Sequence, residues 1–475
     1  MKYERSICWL RRDLRLKDHV ALSEATHLSQ EVILAFVFDT TILSKLKDKR
    51  DRRITFIHQS LLELDQKLRK KGSALVVLHG DPIKEIPEFA HRIKAQAVFT
   101  NRDYEPVARK RDKTVQTACR SRGIDFQDFK DQVLFEGDEL STKSGTPFKV
   151  FTPYKKTWLE ALSPAHYHNH SPKLNRLMPE NQLMEYRQDW SLKTLGFEPA
   201  NLWLVAGETG AQKRLRKFLP HLTNYDKARD YPSLPNGTSG LSVHLRFGTL
   251  SIRSLVRLAL DTPGSGAQTW LSELIWRDFY QMILDRFPHV AQGCFKKQYD
   301  QIQWPGSNTL FKTWCVGQTG FPLIDAAMRL FEQTGWMHNR LRMIVASFLT
   351  KDLLVDWRKG ERWFADKLLD FDLAANNGGW QWCASTGCDA QPYFRIFNPV
   401  TQSKRFDPEG RFIREQLPEL ANFSNKHIHW PHNTTLEEQK KAHCILGKDY
   451  PKPVVVHSKQ RIEALRLFKD IRFPT

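Results

Sequence analysis

Residues 32–39 read VILAFVFD, and that run decides how the first part of the chain folds. Seven apolar residues in a row, several of them β-branched or aromatic, have the length and composition of a strand buried on both faces. RRITFIHQSLLELDQKLRKKG (52–72) follows, with apolar residues at helical spacing and Gly72 as a C-terminal stop, and then a second buried run, ALVVLHG (74–80). Outward from this strand–helix–strand unit, SICWL (6–10) and AVFTN (97–101) read as further strands. VALSEATHLSQ (20–30) and DPIKEIPEFAHRIKAQ (81–96) read as the helices between them. Strict alternation predicts βαβ units and a doubly wound parallel sheet over 1–130. Such a sheet takes ligands at the carboxyl ends of its strands, where Asp39 and Asp103 stand. No GxGxxG follows the first strand, so the dinucleotide fingerprint is absent.

From 131 to 204 the periodicity fades. Prolines and histidines collect in SPAHYHNHSPKLNRLMPE (163–180), the composition of a long interdomain connection. From 205 to 475 strand signals nearly vanish. Helical patterns follow one another in ETGAQKRLRKFLPHL (208–222), SIRSLVRLALDT (251–262), TWLSELIWRDFYQMILDRF (269–287), FPLIDAAMRLFEQTG (321–335), HNRLRMIVASFLTKDLLVDW (338–357), ERWFADKLL (361–369) and SKQRIEALRLFKDI (458–471). The second half is therefore expected to be an all-helical domain.

At 475 residues the chain needs two or three cores. It has no apolar run of membrane length, and charge begins at its second residue, so a soluble, cytoplasmic protein is expected. Seven scattered cysteines without CxxC spacing argue against a disulfide framework, a zinc site or an iron–sulfur cluster, and no metal site is expected. Lys and Arg number 72 against 53 Asp and Glu, and the net charge of +19 favours a polyanionic partner through counterion release. Charge alone fits a well-solvated basic surface equally well. Nine of the 14 tryptophans fall between 270 and 382. Indoles usually serve packing, yet such crowding points to aromatic chemistry or base stacking in the helical half.

Three constellations stand in that half. In TWLSELIWRDFY, Glu273, Trp276, Arg277 and Tyr280 lie at i, i+3, i+4 and i+7, an acid, an indole, a guanidinium and a phenol on one helical face. In HNRLRMIVASFL, Asn339, Arg342 and Met343 share another face, with Arg340 beside them. GTSGLS (237–242) sets small hydroxyl residues between glycines, a backbone suited to a phosphate or pyrophosphate. Taken singly, each is better explained by solvated helices with ordinary ion pairs or by a capped turn. DFDLAANNGGWQWCASTG (370–387) adds acids, amides, bare backbone and indoles within eighteen positions. Together they imply a buried, polar, phosphate-bearing cofactor surrounded by tryptophans.

These motifs, with WLRRDLRLKDHVAL (9–22), TGWMHNRLRM (334–343) and DWRKGERWF (356–364), carry a resemblance along nearly the whole chain. The chain resembles the photolyase/cryptochrome family, most closely its class I cyclobutane pyrimidine dimer photolyases. The resemblance implies three parts: an antenna-chromophore domain over 1–130, a linker over 131–204, and a helical FAD- and DNA-binding domain over 205–475. Tyr225 and the loop Thr238, Ser239, Gly240, Leu241 and Ser242 match positions that hold the FAD phosphates and ribityl chain, and Trp270 lines the pocket. Asp370 and Asp372, flanking Phe371, match the acidic pair near the ring and ribityl, and Arg342 is expected to pair with Asp370. Asn376 matches the residue facing the flavin N5, where an amide suits a fully reduced, anionic flavin, and Gly378 and Gly379 let backbone approach it.

The same resemblance implies the substrate, DNA containing cyclobutane pyrimidine dimers, bound by a monomer that associates with the nucleoid when on DNA. Trp276 and Trp382 match the apolar walls receiving a flipped-out dimer. Glu273, Asn339 and Arg340 match polar contacts, Met343 an apolar one, and Arg277 and Tyr280 complete the lesion face. Arg229 and Gln402 match DNA contacts. Light excites reduced FAD, an electron passes to the dimer, the ring opens and the electron returns, with Glu273 stabilising the charge. Trp380, Trp357 and Trp314 match a relay that reduces oxidised flavin.

The chain departs from its relatives in places. His19 stands where many carry Asn. Val107 and Ala108 occupy positions of polar folate contacts, while Asp39, Arg52, Asp103 and Glu105 look more like a deazaflavin pocket. Both 5,10-methenyltetrahydrofolate and an 8-hydroxy-5-deazaflavin therefore stay open as the antenna. The rival is a cryptochrome, a blue-light signalling flavoprotein without repair activity. Asn376, where plant receptors carry Asp, the Glu273, Trp276 and Trp382 set, and the lack of a long C-terminal extension count against it. A (6-4) photolyase would need histidines at 339 and 343 for proton transfer. A third reading is a basic nucleotide-binding protein whose tryptophans only pack.

Overall fold

In the computed structural model, which describes residues 1–471, VILAFVFD lies within the second strand of a five-stranded parallel sheet. The strands are β1 (Tyr3–Leu10), β2 (Ser29–Asp39), β3 (Val76–Gly80), β4 (Ala97–Asn101) and β5 (Asp125–Phe129), in the order β3-β2-β1-β4-β5. Every pairing is parallel. Helices α1 (Val20–Leu28), α2 (Arg52–Arg69), α3 (Pro82–Arg92) and α4 (Pro106–Arg120) make the crossovers. Asp51 and Asp81 start α2 and α3 by accepting from the backbone N–H of Arg53 and Ile83. His19 caps α1 by accepting from Leu22 N at 3.1 Å, a task Asn can also perform. Ile7, Ile33, Val76 and Val98 are buried with Phe89, Ala90 and Val115 in one cluster beside the sheet.

The chain forms two compact units. The sheet belongs to the first, which comprises Met1–Pro147, Thr152–Thr223 and Ser239–Arg286. This unit continues through α5 (Phe151–Ala161) from Thr152 on, then α6 (Gly207–Phe218), α7 (Ile252–Asp261) and α8 (Ser265–Arg286). A buried ion network ties the loop after β1 to α7. Asp131 accepts from Arg15 at 2.7 Å and from Arg253 at 2.8 Å, while Arg253 also meets Asp18 at 2.9 Å. Burial works against the Asp131 carboxylate, but Arg15, Arg253 and His19 outweigh it and hold its pKa well below the usual range.

The second unit comprises Phe148–Phe151, Asn224–Thr238 and the chain from Phe287 onward. It is built from α9 (Asn308–Cys315), α10 (Pro322–Thr334), α11 (Asn339–Ser347), α12 (Trp357–Lys367), α13 (Leu373–Ala384), α14 (Pro399–Phe406), α15 (Arg411–Gln416) and α16 (His457–Lys469), with shorter turns between them. One core gathers Trp314, Phe331, Phe348, Trp357, Phe364 and Trp380. A π-helical turn, Phe348–Asp352, follows α11 and carries a fully buried Lys351. Burial drives that amine's pKa far down, and its Nζ lies 3.6 Å above the Phe468 ring centre. All seven cysteines are free and buried. Among the described residues no helix is long and apolar enough to cross a membrane, and no cluster of ligating side chains could hold a metal ion.

Candidate functional site

The acidic segment that opens α13 forms the most distinctive cluster of the second unit. Asp370 is buried and pairs through Oδ2 with Arg342 Nη2 at 2.8 Å, while its Oδ1 has no hydrogen-bond partner among the described residues. A buried carboxylate oxygen without a donor costs about 1–3 kcal/mol unless something supplies one. Asp372 caps α13 and accepts from Ala375 N at 3.1 Å. Asn376, one turn on, donates from Nδ2 to Glu361 Oε1 at 2.9 Å and to Glu361 O at 3.1 Å. That grip turns the amide nitrogen inward and leaves Oδ1 as the group it can present. Burial raises the Glu361 pKa, with Asn376 and Arg362 opposing. A Cβ on Gly379 would meet nothing within 4 Å, so no protein atom forces a glycine there. Phe371 is half-buried and packs on the core.

Helix α11 carries the second set. His338 caps it, accepting from Arg340 N at 3.1 Å, and burial pushes its pKa down to about 4. Asn339 is exposed at the first position, and Arg342 and Met343 are half-buried. Arg340 is held by Asp230 at 2.8 Å and lies over the Phe406 ring at 4.5 Å. Tyr225 is buried beneath the Arg229 guanidinium, 5.4 Å from its ring centre. Gln402 on α14 is half-buried. Thr238, which ends this unit's loop, is also half-buried.

The indoles of this unit form a connected aromatic core. Trp314 and Trp380 meet edge to face at 6.1 Å between centroids, and Phe364 touches both, at 6.0 and 5.1 Å. Gly360 makes room for them, since a Cβ there would stand 2.2 Å from Trp380 Cη2. Trp357 is 2% exposed, Trp380 3% and Trp314 not at all. Trp304 and Trp363 pack on the same core and keep some surface, as does Trp382.

In the first unit, Glu273, Trp276, Arg277 and Tyr280 are all half-buried along α8, whereas Leu274, Ile275, Asp278 and Phe279 between them are buried. The spacing thus puts the four on one helical face, with Trp276 and Tyr280 ring centres 5.4 Å apart. Arg277 turns back to donate to the Gln132 carbonyl. Trp270 is buried against Phe218 at 5.4 Å. Across Ser239–Ser242, Gly240 takes φ +60° and Leu241 is buried. Arg214 from α6 lies against this turn, donating to Ser239 O at 2.7 Å.

At the sheet's carboxyl edge, the strand order reverses beside β1, opening the position where doubly wound sheets hold ligands. Asp39 ends β2 and accepts from Thr41 N at 2.9 Å, and Arg52 starts α2 half-buried. Asp103 and Glu105 are joined by Arg12, at 3.2 and 3.1 Å, and Arg246 also reaches Glu105 at 3.1 Å. Burial alone would raise the Asp103 pKa, but Arg12, Arg11, Arg246 and Arg111 hold it below its ordinary value. Asp103 also lines a cavity of about 900 Å³ with Arg102, Tyr104 and Arg109. Val107 is 81% exposed.

Comparison with known proteins gives this geometry a lineage. The model of the FAD binding domain of DNA photolyase matches residues 270–470, and the DNA photolyase model matches 6–174. A deoxyribodipyrimidine photo-lyase of Synechococcus sp. is 39% identical, with 98% of this chain and 96% of that protein covered. The chain belongs to the DNA photolyase family. Among solved structures, a bacterial class III photolyase from Agrobacterium tumefaciens superimposes with a TM-score of 0.91 at 34% identity, covering 99% of this chain and 98% of that one. An archaeal photolyase from Sulfolobus tokodaii with two FAD molecules gives 0.84 at 32% identity, over 98% and 100%. A cryptochrome from Synechocystis sp. PCC6803 gives 0.83 at 27% identity, also over 98% and 100%.

The photolyase FAD-binding domain spans the Asp370–Asn376 cluster, and the residues fit such a group. Asp370 Oδ1 lacks a donor, Gly379 faces open space, and the Arg342 cation balances the carboxylate. Family motifs led to Asn376, Arg340 and Ser239, but not to Glu361, Asp230 and Arg214, which hold those three in turn. Glu361 lies within DWRKGERWF, yet fifteen residues and a helix break separate it from Asn376, so no spacing rule links the two.

Proposed function

We propose that the protein repairs cyclobutane pyrimidine dimers in DNA by light-driven electron transfer, as a cytoplasmic monomer that joins the nucleoid when bound to damage. The observation that supports this best is the buried Asp370 carboxylate, paired on one oxygen and open on the other. Bound reduced FAD would supply the photochemistry, absorbing near-ultraviolet or blue light and giving one electron to the substrate. Asp370, Phe371, Asp372 and Arg342 hold the ring and ribityl end, and Tyr225, Thr238, Ser239, Gly240, Leu241, Ser242 and Trp270 the rest. Asn376, fixed by Glu361, would have its carbonyl oxygen left to accept from bound flavin.

Glu273 hydrogen-bonds the dimer and stabilises the charge it gains. Trp276 and Trp382 offer indole faces, Met343 an apolar contact, and Arg277, Tyr280, Asn339 and Arg340 polar ones. Arg229 and Gln402 contact the strand, and the net charge of +19 favours the polyanion. Trp380, Trp357 and Trp314 would carry the electron that returns bound flavin to its reduced state. Trp314 has no exposed surface, and the half-buried Phe311 stacks on it at 6.0 Å. A second chromophore, folate or deazaflavin in type, is assigned to 1–130 with Asp39, Arg52, Asp103 and Glu105.

The deciding experiment illuminates the reduced, purified protein with dimer-containing oligonucleotide. Thymine recovery in light and none in darkness is expected, and Glu273→Ala should lower the yield at least ten-fold. The likeness to a cryptochrome favours a second reading, blue-light signalling without repair. Flavin absorbance with no thymine recovery would decide for it.

A further inference from the structure

A cavity of about 740 Å³ lies within the first unit, and none of the residues lining it is assigned above to the flavin, the lesion or the antenna. Seven lysines and arginines line it against two carboxylates. Both carboxylates are already engaged. Asp18 meets Arg253 at 2.9 Å and Arg257 at 3.2 Å, and Glu208 meets Lys67 at 2.7 Å. Four cations are left over: Lys17 after β1, and Lys213, Arg216 and Lys217 at i, i+3 and i+4 along α6. Among the described residues their side chains are exposed and make no ion pair. Like charges at that spacing repel, and among the described residues no carboxylate pairs with them.

The rest of the wall narrows the ligand. Thr249, Ser251 and Ser254 also line it, but their hydroxyls are already bonded to His244, Asp18 and the Ser251 carbonyl, so recognition falls to the cations. Among the described residues no aromatic side chain lines the cavity, so none of them offers a face on which a base could stack. Its volume suits a small molecule, whereas specific DNA recognition needs an extended surface of roughly 1,000–2,500 Å². The floor is rigid, because Arg15 and Asp18 belong to the ion network that locks the β1 loop to α7. We propose that this cavity binds an oligophosphate chain carrying three or more negative charges, recognised through its phosphates and not through any attached base. Inorganic tripolyphosphate and a nucleoside triphosphate share that chemistry.

Calorimetric titration of the full-length, flavin-loaded protein at low salt tests this with tripolyphosphate, ATP, AMP and a short oligothymidylate. Tripolyphosphate and ATP should bind alike, AMP at least ten-fold more weakly, and binding should fade as salt rises. The pair Lys213→Glu with Arg216→Glu should weaken tripolyphosphate at least ten-fold while circular dichroism and flavin content stay unchanged. Lys17→Gln with Lys217→Gln should weaken it without reversing charge, which guards against a folding defect in the first pair. No tripolyphosphate binding, or binding untouched by both pairs, would overturn the proposal. A ten-fold preference for ATP over tripolyphosphate would overturn it in favour of base recognition. Displacement by oligothymidylate at equal phosphate concentration would make the patch a nucleic-acid track instead.

Discussion

Arg342 and Asp370 meet at 2.8 Å, the arginine 27% exposed and the aspartate only 2%. The arginine thus sets a compensating cation beside a carboxylate that water barely reaches. Arg342→Ala would strand that charge, and loss of one partner of a buried pair costs about 3 kcal/mol or more. The expected outcome is a clear fall in the urea midpoint together with loss of bound flavin, partly restored by Arg342→Lys. An unchanged midpoint would show that the pair adds nothing to the fold.

Gly360 and Trp380 predict a packing effect. A Cβ at 360 would overlap Trp380 and also reach Leu349 Cδ2 at 2.5 Å. Overpacking of this kind costs about 1–3 kcal/mol. Gly360→Ala should lower the melting temperature and shift the Trp380 ring, slowing photoreduction of oxidised flavin more than repair by already reduced protein.

Asp278 predicts a pH dependence. Burial lifts its carboxyl from 3.8 to about 6, against Arg277 and the hydrogen bonds donated by Leu134 N and Trp158 Nε1. The native state therefore holds this proton more tightly than the unfolded chain does. Stability linked to it is fully present below about pH 4, falls with rising pH and is lost above about pH 6. Asp278→Asn keeps an acceptor for both donors, so it should stabilise the protein by about 3 kcal/mol at pH 8 and hardly at all at pH 4. Denaturant titrations at the two pH values check the sign.

Trp314 separates two activities. Its ring touches Trp380 at 6.1 Å, and its Nε1 donates to Val345 O at 3.2 Å. Trp314→Phe should spare repair by chemically reduced protein and block light-driven reduction of the oxidised form. Transient absorption of the tryptophan radical reads this directly. Photoreduction at the original rate would exclude Trp314 from the path.

Much of this architecture was legible in sequence, and the exceptions have physical causes. The first four strands are apolar enough to announce burial on both faces. β5, DFQDF, is an edge strand whose two aspartates face water, so its alternation is too polar to register. Helix α5 hides in a stretch broken by Pro153, although Tyr154 and Trp158 are each 1% exposed. The α8 face followed from spacing alone. The Arg342–Asp370 and Asn376–Glu361 contacts did not, because they join separate helices and depend on how those helices cross.

The burial of all seven thiols has a practical consequence. Desolvation lifts Cys294 and Cys383 to about 12, so neither is a nucleophile at neutral pH, and reagent can reach them only when the surrounding helices part. Cys8 and Cys119 sit in the first unit and the other five in the second. Alkylation rates mapped by mass spectrometry would therefore clock the opening of each half separately, using labels the sequence already carries.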